Sequence, residues 1–336
     1  MGNFKDFIPE NTLPAGVKRI GIYNQNQIRV GQISPGNLLK DKGRKQYAFG
    51  ALADVHVPYE TAVADLRRTL AFLNKAADFV CICGDLTSDG TSSELSAYKQ
   101  HIDQVAGIPV HTAAGNHEGR NPDLSVIWEN SIGTPLYYSF LHNNDVFIML
   151  GIKSDTAGSL FAEGELQWLY ETLEANRNKR CFLFQHVRPE DGCGNAMGIY
   201  TYDIWGGTEQ VVFESLLRHY PNVIFFHGHS HLKFCLQKYR PSANLDQHFG
   251  CWSVHIPSLA VPRDTDGAVN PSIIDVYADA EGYVVDVYEK GIHLRGFDFV
   301  KNKAFPIASY WLDTTLQTVA PGTYEDSTKT IRTASD

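Results

Sequence analysis

The strongest constraint on this chain is a repeated pattern. Short apolar runs recur, most of them ending in polar residues, and helical spacing lies between most of them. The runs are YAFGALADVH at 47–56, DFVCICGD at 78–85, IPVHTAAGNHE at 108–118, VFIMLG at 146–151, RCFLFQHV at 180–187 and NVIFFHGHSH at 222–231. Between the first two, Val63, Leu66, Leu70 and Leu73 recur at helical spacing. ELSAYKQHIDQVAG reads as a second helix, and further helices are expected near 163–176 and 208–219. Strands that alternate with helices predict an α/β fold, and unbroken apolar runs suit strands buried on both faces.

The final third differs. KFCLQKY, CWSVHIPS, IIDVYAD, GYVVDVYE and IHLRGFDFV are short strand-like runs at hairpin spacing. They are expected to be antiparallel and to form a second sheet packed on the first. The expected organisation is a strand and loop extension over 1–46, one domain over 47–312 and a polar tail over 313–336. Within the extension, GIYNQNQIRVGQI is read as a strand or hairpin. GRNPDLSVIWENSIG and the stretch after His186 are read as loops flanking a cleft.

Composition narrows the partners. The 336 residues carry a formal charge of -9, from 38 acidic and 29 basic side chains. That argues against duplex nucleic acid and anionic membranes, but not against small anions, because bound cations change the local field. The six cysteines form no CxxC pair, and Cys81 and Cys83 read as small buried residues. The first residues lack a signal-peptide core, and no apolar run reaches membrane-spanning length. A soluble cytoplasmic protein is expected.

The chemistry is carried by the strand ends. Asp54 and His56 close the first run, Asp85 the second, Asn116 and His117 the third, His186 a later one, and His229 and His231 the last. In α/β sheets the crevice beyond the strand carboxyl ends is the usual ligand site. Each motif alone has an ordinary explanation as a turn, a cap or a packed histidine. Together they would place oxygens and imidazoles in one cleft, a donor set that suits Mn, Fe or Zn. His229 and His231 are expected to point the same way from an extended chain. One carboxylate can bridge two cations, which together can bind phosphoryl oxygens and activate a water. No GxSxG stands out to favour a serine hydrolase.

DVH at 54–56, GDLTSDG at 84–90, GNHE at 115–118, His186 and GHSH at 228–231 resemble, in order, the motifs of the calcineurin-like metallophosphoesterases. The resemblance implies an α/β two-sheet β-sandwich flanked by helices, with a dinuclear metal site. It implies Asp54, His56 and His231 as ligands of one ion, Asn116, His186 and His229 as ligands of the other, and Asp85 as the bridge. His117 corresponds to the noncoordinating histidine that contacts phosphate and protonates the leaving oxygen. The implied cofactors are two divalent or trivalent transition-metal ions, and the implied activity is phosphoester hydrolysis, with a phosphodiesterase the first expectation. A phosphomonoesterase and an inactive scaffold are the alternatives. Many relatives acting on cyclic nucleotides or phosphodiesters carry HHP around the fourth histidine, where this chain has QHVRP.

Arg120 and Arg188 are candidate phosphate clamps, and Tyr200, Tyr202 and Trp205 are candidate stacking groups for a base or sugar. The expected substrate is a small phosphoester, with a nucleotide among the options. Glu118 reads as a loop cap and Asp89 as a turn residue. His227 lies outside the resembled ligand set, with a hydrogen bond toward the site and plain packing as its two readings.

Overall fold

The computed structural model describes residues 3–8, 41–154, 160–188, 193–194, 207–234, 244–247, 249–263 and 280–314. Among them the chain runs through β1 (Lys45–Leu52), α1 (Glu60–Ala76), β2 (Phe79–Cys83), α2 (Ser92–Val105), β3 (Val110–Ala113), α3 (Asn116–Gly119), α4 (Leu124–Ile132), β4 (Tyr138–His142) and β5 (Asp145–Met149). It continues through α5 (Glu165–Ala175), β6 (Cys181–Phe184), α6 (Gly207–His219), β7 (Val223–His227), β8 (Leu245–Asp246), β9 (Trp252–His255), β10 (Glu281–Tyr288), β11 (Gly291–Asp298) and β12 (Lys303–Asp313).

The strands form two sheets, ordered β12-β11-β10-β1-β2-β3 and β4-β5-β6-β7-β9-β8. β1, β2 and β3 are parallel, as are β5, β6, β7 and β9. The parallel strand ends of both sheets therefore carry the polar motifs. The α/β sandwich is as expected, but the C-terminal strands do not build the second sheet. β10 pairs antiparallel with the free edge of β1, from Lys45 opposite Tyr288 to Ala51 opposite Tyr283, and so extends the first sheet. The second sheet comes from the middle of the chain, and CWSVHIPS joins it as β9, parallel to β7.

Two further elements depart from expectation. GRNPDLSVIWENSIG is largely helix, because Leu124, Trp128 and Ile132 recur every four residues and bury one face of α4. β12 was not anticipated. Its Pro306 falls between Ala304 and Ser309, where pairing with β11 is interrupted, on an edge strand that tolerates it. KFCLQKY and IIDVYAD lie largely or wholly outside the described residues, as do GIYNQNQIRVGQI, most of 1–46 and nearly all of 313–336.

Apolar side chains fill three layers. Between the sheets, Phe49 on β1 meets Phe147 and Phe182 edge-on, each at 5.2 Å, while Phe184 stacks on Phe226 at 4.9 Å. Each buried phenylalanine contributes about 1.5–3 kcal/mol. α1, α2 and α4 cover the outer face of the first sheet through Leu66, Leu70, Leu95, Tyr98 and Trp128. α5 and α6 cover the second, and Phe7 from the short turn at Phe4–Phe7 packs there against Tyr170 and His219. α2 begins with a capping box, in which Thr91 and Glu94 each accept the other's backbone N–H. No helix among the described residues is long and apolar enough to cross a membrane.

Toward the start of β1 and β5 the sheets are joined by a buried polar clamp. Tyr47 donates its hydroxyl to Asp145 Oδ2 at 2.5 Å, and Arg180 Nη2 donates to the same oxygen at 2.6 Å. Arg180 Nη1 reaches back to the first sheet, donating to the carbonyl of Tyr288 at 2.9 Å. Burial and the Asp145 charge push the Tyr47 phenol far above its ordinary pKa, so it remains a donor. Asp145→Ala would strand Arg180 in the interior. It is expected to lower unfolding free energy by about 3–5 kcal/mol in urea titrations, and a loss below about 1 kcal/mol would show the clamp to be dispensable.

Candidate metal centre

The centre is built where strands of both sheets end. After β1 the chain turns sharply, with Asp54 at φ 57° and His56 at φ 53°. The turn is held by the segment after β2. Asp54 N–H donates to Gly84, and the Val55 and His56 N–H groups both donate to the carbonyl of Asp85. Asp85 itself has φ 49°. Past β7, His229 and His231 have φ 72° and 61°. HGHSH is therefore not extended beyond its first histidine. Its two site histidines converge through left-handed bends, not through strand alternation. Such conformations cost non-glycine residues roughly 1–3 kcal/mol each and persist only where surrounding contacts enforce them.

Two donor groups result. Ligand-type atoms of Asp54, His56, Asp85 and His231 lie within 4.8 Å of one another, and so do those of Asp85, His186 and His229. Asp85 belongs to both. Asp54 Oδ1 is 3.0 Å from His231 Nε2 and 3.6 Å from His186 Nε2, while Asp85 Oδ2 is 3.0 Å from His186 Nε2. His56 Nε2 lies 3.3 Å from His231 Nε2.

Ring orientation is set from behind. His186 Nδ1 sits 2.6 Å from the Cys83 carbonyl and His231 Nδ1 3.1 Å from that of Val261, so each turns Nε2 toward the carboxylates. This is the usual arrangement of a metal-binding histidine. Gly115 is required beside them, since a Cβ there would stand 2.2 Å from Asp85 Oδ1.

The donor set fits cations. Asn116 Oδ1 is buried without a hydrogen-bond partner, and Asp54 Oδ1 and His186 Nε2 are buried with only members of the same cluster 3.0–3.6 Å away; such atoms are costly unless something coordinates them. Burial pushes the Asp54 and Asp85 carboxyls up, but neighbouring histidines outweigh it and hold both below the usual range. Burial likewise works against charge on His186, yet Asp85 and Asp54 raise it to about 10, and Asp54 raises His231 in the same way. His56 and His229 are pulled down by burial, to about 4 and about 3. Two carboxylates thus hold positive charge between them, and a cation that enters displaces protons.

His117 stands at the rim. Its backbone N–H donates to Asp85 Oδ1 at 2.9 Å. Its Nδ1 lies 2.6 Å from the Ser88 carbonyl, leaving Nε2 at 3.7 Å from Asp85 Oδ2. Arg120 lies alongside, with a guanidinium nitrogen 3.2 Å from each ring nitrogen. Glu118 is a buried brace. It accepts from the Thr87 N–H and hydroxyl at 2.9 and 2.7 Å and from the Gly115 N–H at 2.7 Å, joining the loops after β2 and β3. Asp89 is an exposed turn residue. Arg188 interacts electrostatically with Cys193, His227 and His255. Tyr200, Tyr202 and Trp205 lie outside the described residues.

One part of the site was not anticipated. Residues 258–263 form a strap behind it. Ser258 Oγ donates to the Asp54 carbonyl at 3.0 Å, Ala260 N–H donates to the same carbonyl at 3.2 Å, and Arg263 N–H donates to that of His231 at 2.6 Å. These contacts are mostly main-chain, which residue identity does not advertise.

The sequence model of the calcineurin-like phosphoesterase family matches residues 47–233. Among curated proteins, the probable glycerophosphodiester phosphodiesterase GpdQ of Arcobacter nitrofigilis is 24% identical over 45% of this chain and 54% of its own length. The chain thus spans about half of that relative. Among solved structures, purple acid phosphatase PPD1 from yellow lupin (Lupinus luteus) seeds is similar with TM-score 0.58 and 13% identity, over 81% of this chain and 55% of that one. GAP50, the anchor in the inner membrane complex of Plasmodium, is similar with TM-score 0.56 and 13% identity, over 80% and 89%. At such identities the structural likenesses concern the fold. The family match spans more than half of the chain and includes every candidate ligand, and the chain belongs to the calcineurin-like phosphoesterases.

Proposed function

We propose that this chain is a dinuclear-metal-dependent hydrolase of small phosphodiesters. The observation that carries the reading is Asp85, whose carboxylate belongs to both donor groups. Asp54, His56 and His231 would hold one ion, Asn116, His186 and His229 would hold the other, and Asp85, common to both donor groups, would serve both. Bound there, two cations supply charge for the phosphoryl oxygens and a water acidic enough to attack at neutral pH.

The remaining work falls to side chains at the rim. His117 is oriented by the Ser88 carbonyl, and a proton on its Nε2 is the one available to the leaving oxygen. Arg120 lies beside it and offers a fork of donors to a nonbridging oxygen; Arg188, two residues past His186 in the sequence, is the second candidate clamp. Tyr200, Tyr202 and Trp205 suit contact with the organic part of the ester, nucleotides included. The diester preference draws on the named activity of the Arcobacter relative. The buried free thiols of Cys81, Cys83, Cys181, Cys193 and Cys251 suit the cytoplasm.

Elemental analysis after reconstitution with Mn, Fe, Co or Zn is expected to give two metal equivalents, and Asp85→Asn is expected to lose both metal and turnover. A folded protein that takes up none of these ions would overturn the reading. A panel of phosphodiesters, cyclic nucleotides and phosphomonoesters then separates the activities, and turnover confined to monoesters would replace the diester assignment. His117→Ala is expected to keep its metal and lose about 10²–10⁴-fold in kcat on alkyl esters. The loss should be far smaller with a nitrophenyl leaving group, which departs without a proton. Equal losses on both substrates would remove His117 as the acid.

A further inference from the structure

Behind the centre lies a second buried polar group that the proposed chemistry does not use. His255, the last residue of β9, is fully buried and pairs in register with His227 at the end of β7. Its Nε2 lies 2.8 Å from the hydroxyl of Ser230, the residue between His229 and His231. Its Nδ1 lies 3.2 Å from Asn244 Nδ2, and its backbone N–H donates to the Asn244 carbonyl at 2.9 Å. The Asn244 amide donates to Nδ1, so Nε2 carries the proton and donates to Ser230. Both ring nitrogens are thus engaged, and burial keeps the ring neutral.

An imidazole in the interior of a parallel sheet is costly unless it is satisfied, and an aliphatic residue would fill the space without that demand. The surroundings are shaped around the ring. Gly194 has φ 74°, and a Cβ there would lie 2.6 Å from His255 Cδ2 and 2.9 Å from His227 Cε1. Cys193 donates its thiol to the Ser253 carbonyl at 3.3 Å and lies 3.4 Å from His227 Nε2. Cys193 and Gly194 are therefore seated on the same two rings.

The turn they support is the strained one. Gly228 N–H donates to the His186 carbonyl and Ser230 N–H to that of Gly228, while His229 N–H donates to Asp54 Oδ2 at 3.2 Å. These are main-chain donors on the centre's side. The Ser230 side chain, 2% exposed, ties the turn to the opposite side. We infer that His255 is a positioning residue: through Ser230 it holds the left-handed turn in the one arrangement that presents His229 and His231 to the ions. This rests on the reading of that turn as metal-binding.

The test is Mn²⁺ affinity of the full chain, stripped with chelator and titrated, for the parent, Ser230→Ala, His255→Ala, the double variant and His255→Gln. Ser230→Ala and His255→Ala are each expected to weaken Mn²⁺ binding about 10–100-fold, the usual range for a residue that orients a ligand. The double variant should be no weaker than the worse single one, because the two residues act through one hydrogen bond. His255→Gln, which retains a side-chain N–H, should recover most of the affinity, and kcat should return toward the parent value at saturating Mn²⁺. Ser230→Ala removes a single hydroxyl and carries the test if His255→Ala does not fold. A folded Ser230→Ala protein within about twofold of the parent's Mn²⁺ affinity would overturn the inference, as would losses that add in the double variant. A parent that takes up no Mn²⁺, Fe, Co or Zn would instead overturn the metal reading itself.

Discussion

Asp85 is the residue on which the rest of the centre depends. Its carbonyl accepts two N–H groups from the turn after β1, which places Asp54 and His56. Its carboxylate accepts the N–H of His117 from the segment after β3 and faces His186 from the other sheet. One residue thus fixes contributions from three strand ends before any ion is considered. Its burial would favour a neutral carboxyl, and the surrounding histidines reverse that preference. The charge is held in place by the same side chains that would share a cation with it.

The strain at Asp54, His56, Asp85, His229 and His231 has a counterpart in rigid support. The parallel strands that end there are buried on both faces, and the clamp of Tyr47, Asp145 and Arg180 bridges the two sheets. Glu118 joins the loops after β2 and β3, and the strap at 258–263 holds the backs of Asp54 and His231. Backbone conformations of this kind need neighbours that do not yield.

The polar residues of the centre were legible because they stand at the ends of otherwise unbroken apolar strands, where packing alone gives no reason for an aspartate or a histidine. What escaped was nonlocal or carried by the main chain. Hairpin spacing announces that β10 and β11 pair with each other. It does not announce that β10 finds β1, which requires knowing which edge the first sheet leaves open. The strap uses N–H and carbonyl groups that nearly any residue offers. The left-handed turn at His229 and His231 defeats a rule that assumes an extended chain. α4 was readable in principle, from Leu124, Trp128 and Ile132, and was masked by the proline and glycine that flank it.

The position of β1 bears on how the protein is made. β1 leaves the ribosome long before β10, yet it lies between β2 and β10, and its partner on one side spans Glu281–Tyr288. During synthesis its second edge stays open while more than half of the chain is still to come, exposing a strand that invites pairing with other chains. The Ser258 bond to Asp54 spans 204 residues, so the support behind that aspartate is also a late event. A nascent chain holds the aspartates and early histidines of the centre long before it holds the geometry.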